Sequence, residues 1–209
     1  MRTVVYGVGV SLDGYIAALD GSVDWLNRAA SKAKGEDFGM GAFFKSIDTV
    51  LMGRKTYEHA LKMGMAKGGY PGMKNYIFSR TLPRGERDGV EFISGSVANV
   101  IKKLRKSPGR NIWLCGGGEL AREALKEHVI DEITLGLAPV LIGGGRPTFP
   151  STFPETELEL VECKQYKGGI LGLTYRVVTS KSGRKVLSKA VKRTKGASAE
   201  LRIRELRFS

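Results

Sequence analysis

Residues 111–128 read NIWLCGGGELAREALKEH, an apolar segment followed by three glycines and an amphipathic segment. The pattern predicts a short buried strand over residues 111–115 and a helix over residues 119–128. Glycines between a strand and a helix permit positive φ angles and let the backbone approach a ligand closely. Because the first N–H groups of a helix are unpaired and carry the positive end of its dipole, the stretch predicts a phosphate site.

A second strand, glycine and helix follow the same plan earlier in the chain. Residues 46–52 predict a buried strand, Gly53 follows at once, and residues 57–63 have a helical pattern. The polar residues at the start of this helix are Arg54, Lys55 and Thr56. Cations in a first helical turn oppose the helix dipole, so we interpret them as ligands of an anion in preference to solvated helix-end residues.

The remaining pattern predicts an α/β fold. Residues 3–10 predict a buried strand whose two glycines lack the third glycine of a dinucleotide fingerprint, because that position is Leu12. We expect a neighbouring strand or a ligand to pack closely there. Strands and helices then alternate until two strands, residues 158–166 and 170–178, flank a hairpin signal. We therefore expect a mixed, mainly parallel sheet with helices on both faces and a C-terminal antiparallel hairpin.

The chain has 209 residues and a formal net charge of +13, which is unevenly distributed. Residues 180–209 contain ten basic and two acidic residues, a net of +8, so residues 1–179 are only mildly basic. Size and charge therefore predict one domain over residues 1–179 and a basic tail over residues 180–209. The tail has the composition of a marginal amphipathic helix or a disordered arm, and any nucleic acid would be bound through it.

Composition also bears on compartment, membranes and metals. No apolar run reaches the roughly 18 to 20 residues of a membrane helix, and residues 1–10 lack a signal-peptide pattern, so we expect a cytoplasmic protein. Cys115 and Cys163 lie in separate strand-like segments and are predicted to be buried thiols. With two cysteines out of metal-ligand spacing and two histidines, the sequence predicts no metal site.

Two Asp-Gly pairs mark a structured loop after the first strand. Residues 11–17 read SLDGYIA and residues 20–26 read DGSVDWL, and loops at strand ends are where α/β proteins place ligands. Asp13 is either a turn-forming residue or a carboxylate that faces a substrate, and its position alone leaves both open. Trp25 is predicted to pack in the core rather than to stack on a ligand.

Four motifs follow one another along the chain: SLDGYIA at residues 11–17, LMGRKTYE at residues 51–58, GGG at residues 116–118 and PVLIGGG at residues 139–145. Together they resemble the dihydrofolate-reductase-like superfamily, and most closely the reductase domain of the bifunctional riboflavin-synthesis enzyme RibD. The resemblance covers about residues 1–179. It implies a three-layer α/β/α fold around a mixed sheet, NADPH as hydride donor and, commonly, a homodimer.

The resemblance also implies roles for individual residues. The residues that match the positions holding the cofactor phosphates are Gly53, Arg54, Lys55 and Thr56. Ser79 and Arg80, which end the predicted strand over residues 74–80, match the contacts to the adenosine 2′-phosphate. The segment that matches the pyrophosphate cradle near the nicotinamide comprises Gly116, Gly117, Gly118 and Glu119. The residues expected to border the substrate are Asp13, Asp24, Leu141 and Gly143.

The activity implied is hydride transfer from NADPH to the carbon of a C=N or C=O bond in a small heterocyclic or phosphorylated substrate. The proton would come from water or from Asp13. In riboflavin synthesis the substrate of such reductases is 5-amino-6-(5-phosphoribosylamino)uracil. Two positions depart from the riboflavin-pathway pattern: Tyr15 stands where those reductases usually carry Arg, and Cys115 stands where they carry an acidic residue.

Three alternatives remain open on sequence grounds. A dihydrofolate reductase needs a carboxylate for the pterin, and Asp24 beside Trp25 is the candidate. A nucleic-acid-binding protein would act through residues 180–209, and a nucleotide-binding domain would hold the cofactor without turnover. Steady NADPH oxidation distinguishes an enzyme from the other two, and salt-sensitive binding by the isolated tail indicates nucleic acid.

Overall fold

The computed structural model describes residues 1–65 and 68–178 of the chain. Met1–Val177 form one compact unit. The tail predicted over residues 180–209 lies outside the described residues.

Short strands and helices alternate along the described chain. The strands are β1 Val4–Ser11, β2 Tyr15–Ala17, β3 Ile47–Gly53, β4 Lys74–Phe78, β5 Gly85–Arg87, β6 Val90–Ile93, β7 Asn111–Cys115, β8 Glu132–Ala138, β9 Arg146–Pro147, β10 Leu158–Gln165 and β11 Leu171–Val177. The helices are α1 Asp24–Ser31, α2 Met40–Ser46, α3 Arg54–Lys62, α4 Val97–Leu104 and α5 Gly118–Lys126, with a 3₁₀ turn at Lys167–Gly169. Among residues 1–65 and 68–178, no helix combines the length and the apolar character needed to cross a membrane.

One mixed sheet organises these elements, with the strand order β10-β11-β8-β1-β7-β3-β4-β6-β5. The strands from β8 to β6 in this order are parallel to one another. β11 runs antiparallel to β8, and β5 runs antiparallel to β6. β10 pairs antiparallel with β11 to form the C-terminal hairpin. The prediction of a mixed, mainly parallel sheet with a C-terminal hairpin is confirmed.

Helices cover both faces of the sheet because its central strands are apolar on both sides. α4 and α5 pack over one face, where Leu51 and Ile112 are fully buried. Phe43 and Phe44 of α2 and Tyr57 of α3 pack on the opposite face, over a cluster that includes Val50 and Trp113. The molecule therefore has the three layers expected of a dihydrofolate-reductase-like fold.

Two glycines of β1 make room for neighbouring side chains. A Cβ on Gly7 would lie 2.9 Å from the indole Nε1 of Trp113. A Cβ on Gly9 would lie 2.5 Å from Leu26 Cδ2. Close packing therefore accounts for both glycines, although the packing groups are side chains of β7 and α1.

The sequence pattern misses α1, β2, β5 and the two-residue strand β9, which lie in segments predicted as loops and turns. α1 buries Trp25 and Ala29 together with Ala138 and Ile170, so tertiary contacts stabilise a helix that its Asp-Gly start does not signal. Trp25 is 4% exposed and packs in the core as predicted. β2 and β5 have three residues each, too few for a local alternation to be recognised.

One of the two cysteine predictions is wrong. Cys115 is buried at the end of β7, whereas Cys163 is exposed on β10. β10 is the edge strand of the sheet, and all its residues are exposed. A strand pattern does not reveal which strand lies at the edge, so the burial of Cys163 could not be read from sequence.

Candidate functional site

Four neighbouring parallel strands, β7, β3, β4 and β6, end side by side at one edge of the sheet. The segments that follow them line a cavity of about 1720 Å³. The carboxyl edge of parallel strands is the usual place for a ligand in α/β proteins. The cavity extends from this edge across the sheet face that carries Trp113, and it is the candidate functional site.

Two helices begin at this edge without a side-chain cap. Their N-cap residues are Gly53 for α3 and Gly117 for α5, and neither has a side chain that can accept a hydrogen bond. By contrast, the hydroxyl of Ser96 caps α4 by accepting a hydrogen bond from Asn99 N. The N–H groups in the first turns of α3 and α5 are therefore available to a ligand.

The starts of α3 and α5 adjoin each other. Gly116 and Gly117 have φ angles of 63° and 78°, which glycine adopts without strain. A Cβ on Gly117 would lie 3.9 Å from Gly53 N. A Cβ on Gly116 would lie 3.4 Å from Thr56 Oγ1. Because two positive helix ends meet across small residues, the arrangement can hold a diphosphate.

Gly118 has a packing role at the same place. A Cβ on this residue would lie 2.9 Å from the carbonyl oxygen of Pro147 and also 2.9 Å from Pro150 Cδ. The missing side chain lets the segment after β9 close against the start of α5. Gly118 thus shapes the cavity wall through the protein's own packing.

Three cations near the helix starts line the cavity in different settings. Arg54 Nη1 lies 2.6 Å from Glu58 Oε1, and the two side chains are 41% and 42% exposed. Lys55 and Arg80 are exposed, and neither has a carboxylate within salt-bridge distance in the described part of the chain. Arg80 is therefore the arginine more readily available to an anion.

Ser79 shapes the turn that presents Arg80. Its Oγ accepts hydrogen bonds from Thr81 N at 3.2 Å and from Leu82 N at 2.9 Å. Glu119, in the first turn of α5, forms an ion pair with Arg122 at 2.7 Å. The structure brings all the residues predicted to hold the cofactor to one cavity: Gly53, Arg54, Lys55, Thr56, Ser79, Arg80, Gly116, Gly117, Gly118 and Glu119.

An aromatic, uncharged wall forms another part of the cavity. The ring centroids of Tyr70 and Trp113 are 4.7 Å apart, and Phe43 packs edge-on to Trp113 at 5.2 Å. The Tyr70 hydroxyl lies 3.4 Å from Cys115 Sγ. Burial raises the pKa of the Cys115 thiol to about 12 and also raises the pKa of Tyr70. Because both groups stay neutral near pH 7, this wall suits a planar, uncharged ring.

Asp13 binds the protein's own backbone. Its carboxylate accepts hydrogen bonds from Ser11 Oγ at 2.6 Å, Gly143 N at 2.7 Å and Ile142 N at 3.1 Å. The hydrogen bond from Ser11, assisted by those from the two backbone N–H groups, holds the pKa of Asp13 below its usual value. Asp13 is not among the residues that line the large cavity, so its geometry favours the turn-forming alternative.

The other residues predicted to border a substrate also lie away from the large cavity. Leu141 and Asp24 line a separate depression of about 320 Å³ beside α1, and Leu141 is 69% exposed. Gly143 lies in the loop held by Asp13. The structure thus separates these residues from the predicted cofactor side, and their contact with a substrate stays a prediction.

The cavity also contains polar residues that the sequence analysis did not predict for the site, among them His59, Ser94 and Arg146. His59 follows Thr56 by one helical turn, a spacing that was available as a signal once α3 was known to begin at Arg54. Arg146 follows the glycine-rich loop and lies beside Gly21, where a Cβ would be 2.8 Å from its Nη2. Ser94 directly follows β6, and the sequence around it contains no pattern that predicts a role in the site.

Residues 2–171 match the family model of the RibD C-terminal domain. The chain belongs to the RibD C-terminal domain family. This match spans the strands from β1 to β10, both helix starts and all the residues predicted to hold the cofactor. It accounts for the resemblance carried by the four sequence motifs.

Known proteins similar to this RibD C-terminal domain differ in how well they are understood. The uncharacterized protein YwjB of Bacillus subtilis (strain 168) is 37% identical over 165 residues, which cover 79% of this chain and 92% of YwjB. A putative dihydrofolate reductase of Caenorhabditis elegans is 33% identical over 92 residues, which cover 42% of this chain and 47% of that protein. These relatives support a reductase-like family without naming a substrate for this chain.

Solved structures of the same fold include a putative riboflavin biosynthesis protein from Shewanella sp. PV-4. It has a TM-score of 0.72 and 28% sequence identity, covering 86% of this chain and 100% of that one. RibD of Acinetobacter baumannii has a TM-score of 0.64 at 19% identity, covering 86% of this chain and 59% of that one. The latter likeness shows the fold of this RibD C-terminal domain.

Proposed function

We propose that this protein is an NADPH-dependent reductase that transfers hydride to the carbon of a C=N or C=O bond in a small heterocyclic or phosphorylated substrate. The observation that carries the proposal is the meeting of two helix starts, at Gly53 and Gly117, that have no side-chain caps. Two positive helix ends across glycines suit a pyrophosphate better than a single phosphate. The family is reductase-like, which favours a dinucleotide cofactor.

The residues of the cavity fit NADPH along its length. The N–H groups at the starts of α3 and α5 would hold the pyrophosphate, and Thr56 beside Gly116 offers a hydroxyl there. Arg80 and Arg54 would bind the 2′-phosphate that distinguishes NADPH from NADH. The aromatic wall would receive the planar nicotinamide and substrate rings.

The cofactor, when bound, supplies the hydride, and the protein supplies position and electrostatics. Tyr70, Trp113 and Cys115 present a buried, neutral surface that excludes water from a ring lying on it. Arg146 lines the same cavity and has no carboxylate within salt-bridge distance among residues 1–65 and 68–178. This cation would receive a phosphate of the substrate, which supports the phosphorylated class.

The structure bears on the two named substrates. A pterin needs a carboxylate, but Asp24 lines a depression separate from the large cavity, which weakens the case for dihydrofolate. At the end of β7, the buried thiol of Cys115 replaces the acidic residue usual in riboflavin-pathway reductases. We therefore place 5-amino-6-(5-phosphoribosylamino)uracil within the proposed class as the compound to test first. We also propose that the protein acts in the cytoplasm.

NADPH consumption tests the function directly. It is followed with the phosphoribosylaminopyrimidine, with dihydrofolate and with small cyclic imines and carbonyls, and NADPH and NADH are titrated calorimetrically without substrate. We expect NADPH to bind more tightly than NADH and at least one phosphorylated heterocycle to be reduced. A protein that binds neither dinucleotide would refute the proposal, and binding without turnover of any compound would favour a nucleotide-binding role.

We also propose that the protein is a homodimer. Leu158, Leu160 and Val161 of β10 are 42%, 54% and 47% exposed. Leu160 pairs with Tyr175 of β11, which packs against the core beneath α4 and α5. The apolar face of the core thus continues onto an edge strand that no other described element covers, and a second copy would bury it.

A further inference from the structure

Two buried polar atoms in the cavity wall have no hydrogen-bond partner in the described part of the chain. They are His59 Nε2 and Ser94 Oγ. Leaving a buried polar atom unpaired is costly, so such an atom in a cavity wall indicates a ligand that pairs with it. His59 is the ionisable one of the two.

His59 lies on the side of α3 that faces the cavity. It follows Thr56 by three residues, so the two side chains share a helix face and are about 4.5 Å apart along the helix axis. Thr56 in turn adjoins Gly116 in the pyrophosphate cradle. A different side of α3 is occupied by Tyr57, whose ring packs edge-on to Phe92 at 5.3 Å.

The direction of α3 places His59 on the aromatic side of the cradle. α3 starts at the carboxyl edge of the sheet and packs on the face that carries Trp113 and Cys115. Arg80 lies at the carboxyl edge. His59, one turn beyond Thr56, is therefore farther from that edge and over the face that carries Trp113. Tyr70, Trp113 and Cys115 line the same cavity as His59.

The other ionisable groups of the aromatic wall are poor proton donors near neutral pH. Burial raises the pKa of Cys115 to about 12, and burial also raises the pKa of Tyr70. Asp13 lies outside the cavity, and its carboxylate already accepts hydrogen bonds from Ser11 and Gly143. Reduction of a C=N or C=O bond nevertheless consumes one proton for each hydride.

We propose that His59 is the proton donor of the reduction, acting at the nicotinamide end of the cavity. The inference rests on the proposed function. The substrate carbon accepts a hydride with its two electrons, the π bond to nitrogen or oxygen breaks, and that atom takes the proton from Nε2 of the His59 imidazolium. Neutral imidazole then takes a proton from water, which restores the starting state.

Several ionisable groups lie on α3 or line the same cavity as His59. Besides His59, the ionisable groups of α3 are Arg54, Lys55, Tyr57, Glu58 and Lys62, and Tyr70, Arg80 and Cys115 line the same cavity. Glu58 is paired with Arg54, so it is not a dedicated partner for the imidazole.

The chain contains two histidines, so NMR of the imidazole groups resolves His59 with His128 as an internal control. His128 is exposed after α5 and does not line the cavity. The full-length protein is titrated with NADP⁺ and, separately, with adenosine 2′,5′-bisphosphate, which lacks the nicotinamide half. We expect NADP⁺ to shift the His59 resonances and the bisphosphate to leave them unchanged, with His128 unaffected by both.

Other outcomes overturn the inference in recognisable ways. Equal shifts of His59 with both ligands would assign it to the phosphate end, and no shift with bound NADP⁺ would remove it from the site. Calorimetry on the same samples shows whether NADP⁺ binds at all. Absence of NADP⁺ binding would refute the proposed function, and with it the donor role, whereas the two NMR outcomes above refute the donor role alone.

Turnover provides a second readout through His59→Gln, with His128→Asn as the matched control. Asn suits the positive φ of 51° at position 128. With the compound reduced in the substrate panel, we expect His59→Gln to lower kcat by about a hundredfold or more and to keep NADP⁺ affinity within about twofold. A variant with wild-type kcat would refute the donor role, and a loss of NADP⁺ affinity as large as the loss of kcat would assign His59 to cofactor binding instead.

Discussion

The carboxylate of Asp13 accepts hydrogen bonds from Ser11 Oγ and from the N–H groups of Ile142 and Gly143. The hydrogen bond from Ser11 makes the largest contribution to lowering the pKa of Asp13 in the folded protein. A lowered folded-state pKa stabilises the fold at pH values above the unfolded-state pKa. This stabilisation is lost as the pH falls through the lowered folded-state pKa.

Asp13→Asn should therefore lower the thermal midpoint at neutral pH and have progressively less effect in acid. The amide cannot accept the same set of hydrogen bonds as a carboxylate, whereas the protonated wild-type side chain in acid resembles it. Thermal unfolding at pH 7 and pH 3 measures the difference, with Asp20→Asn in the exposed Ser22 turn as the control. A destabilisation that is independent of pH would contradict the role given to the charge.

Arg80 and Arg54 differ in how freely they can bind a 2′-phosphate. Arg80 is exposed and has no carboxylate partner among the described residues, whereas Arg54 is paired with Glu58. We expect Arg80→Ala to weaken NADPH binding about tenfold or more and Arg54→Ala to weaken it less, because charge-assisted hydrogen bonds at exposed positions lie at the lower end of their range. NADH binding should barely change.

Calorimetric titration with both cofactors decides between cofactor selectivity and a general role. Arg176→Ala removes the same charge from β11, outside the cavity, and is the matched control. Equal losses for NADPH and NADH in the Arg80 variant would place Arg80 at the shared pyrophosphate. A wild-type preference for NADH would refute the assignment of the 2′-phosphate site.

α3 and α5 combine two effects at their first turns. Their N–H groups are unpaired by side chains, and their dipoles both place positive charge at the same edge of the sheet. α4 packs beside α5 but is capped by Ser96, so its first turn is partly satisfied within the chain. The proposed cofactor cradle therefore uses the two helices that begin at this edge without a side-chain cap.

Gly117→Val should weaken NADPH and NADH alike by more than tenfold. The substitution forces a β-branched residue into a positive φ and fills the space between the two helix starts, where the shared pyrophosphate would lie. Gly72→Val is the matched control, because Gly72 has a similar φ of 74° with open space around it and lies outside the cavity.

Binding and thermal unfolding of both variants separate the two effects of the valine. Both should lose some stability through backbone strain, and only Gly117→Val should lose cofactor binding. Loss of NADPH affinity in a folded Gly72→Val protein, or full affinity in Gly117→Val, would contradict a cradle at the start of α5.

The exposed apolar residues of β10 are the proposed contact between two copies of the molecule. Leu160→Lys places a charge on the 54% exposed Leu160, and we expect it to convert a dimer into a monomer. Light scattering with size-exclusion chromatography measures the mass, with Leu141→Lys at a more exposed loop position as the control. A monomeric wild type would refute the proposed dimer, and a dimer that survives Leu160→Lys would place the interface elsewhere.

The basic tail predicted over residues 180–209 provides a further test of organisation. Deletion of these residues should leave NADPH binding unchanged, because every residue of the proposed cradle lies between positions 53 and 119. Any binding of nucleic acid by the full chain should disappear with the tail and weaken steeply with salt. Loss of cofactor binding in the truncated protein would contradict the predicted domain boundary.

The local sequence pattern by itself predicted the central strand β7 and the residues at the ends of the neighbouring strands. The strand predicted at residues 111–115 agrees residue by residue with β7, because a short, mostly apolar segment encodes a strand within its own sequence. The glycine motifs likewise placed the predicted cofactor residues at strand ends. Since parallel strands share a carboxyl edge, that placement brings them together in space.

Only the tertiary structure decided which groups face one another. The partners of Asp13 in the loop around Gly143 lie about 130 residues away along the chain, so no local pattern reveals that its charge is used by the fold. The exposure of Cys163 depends on β10 being the edge strand, and the orientation of His59 depends on where α3 packs. Sequence encodes local periodicity and turn chemistry, whereas pairing order and packing arise from contacts between distant segments.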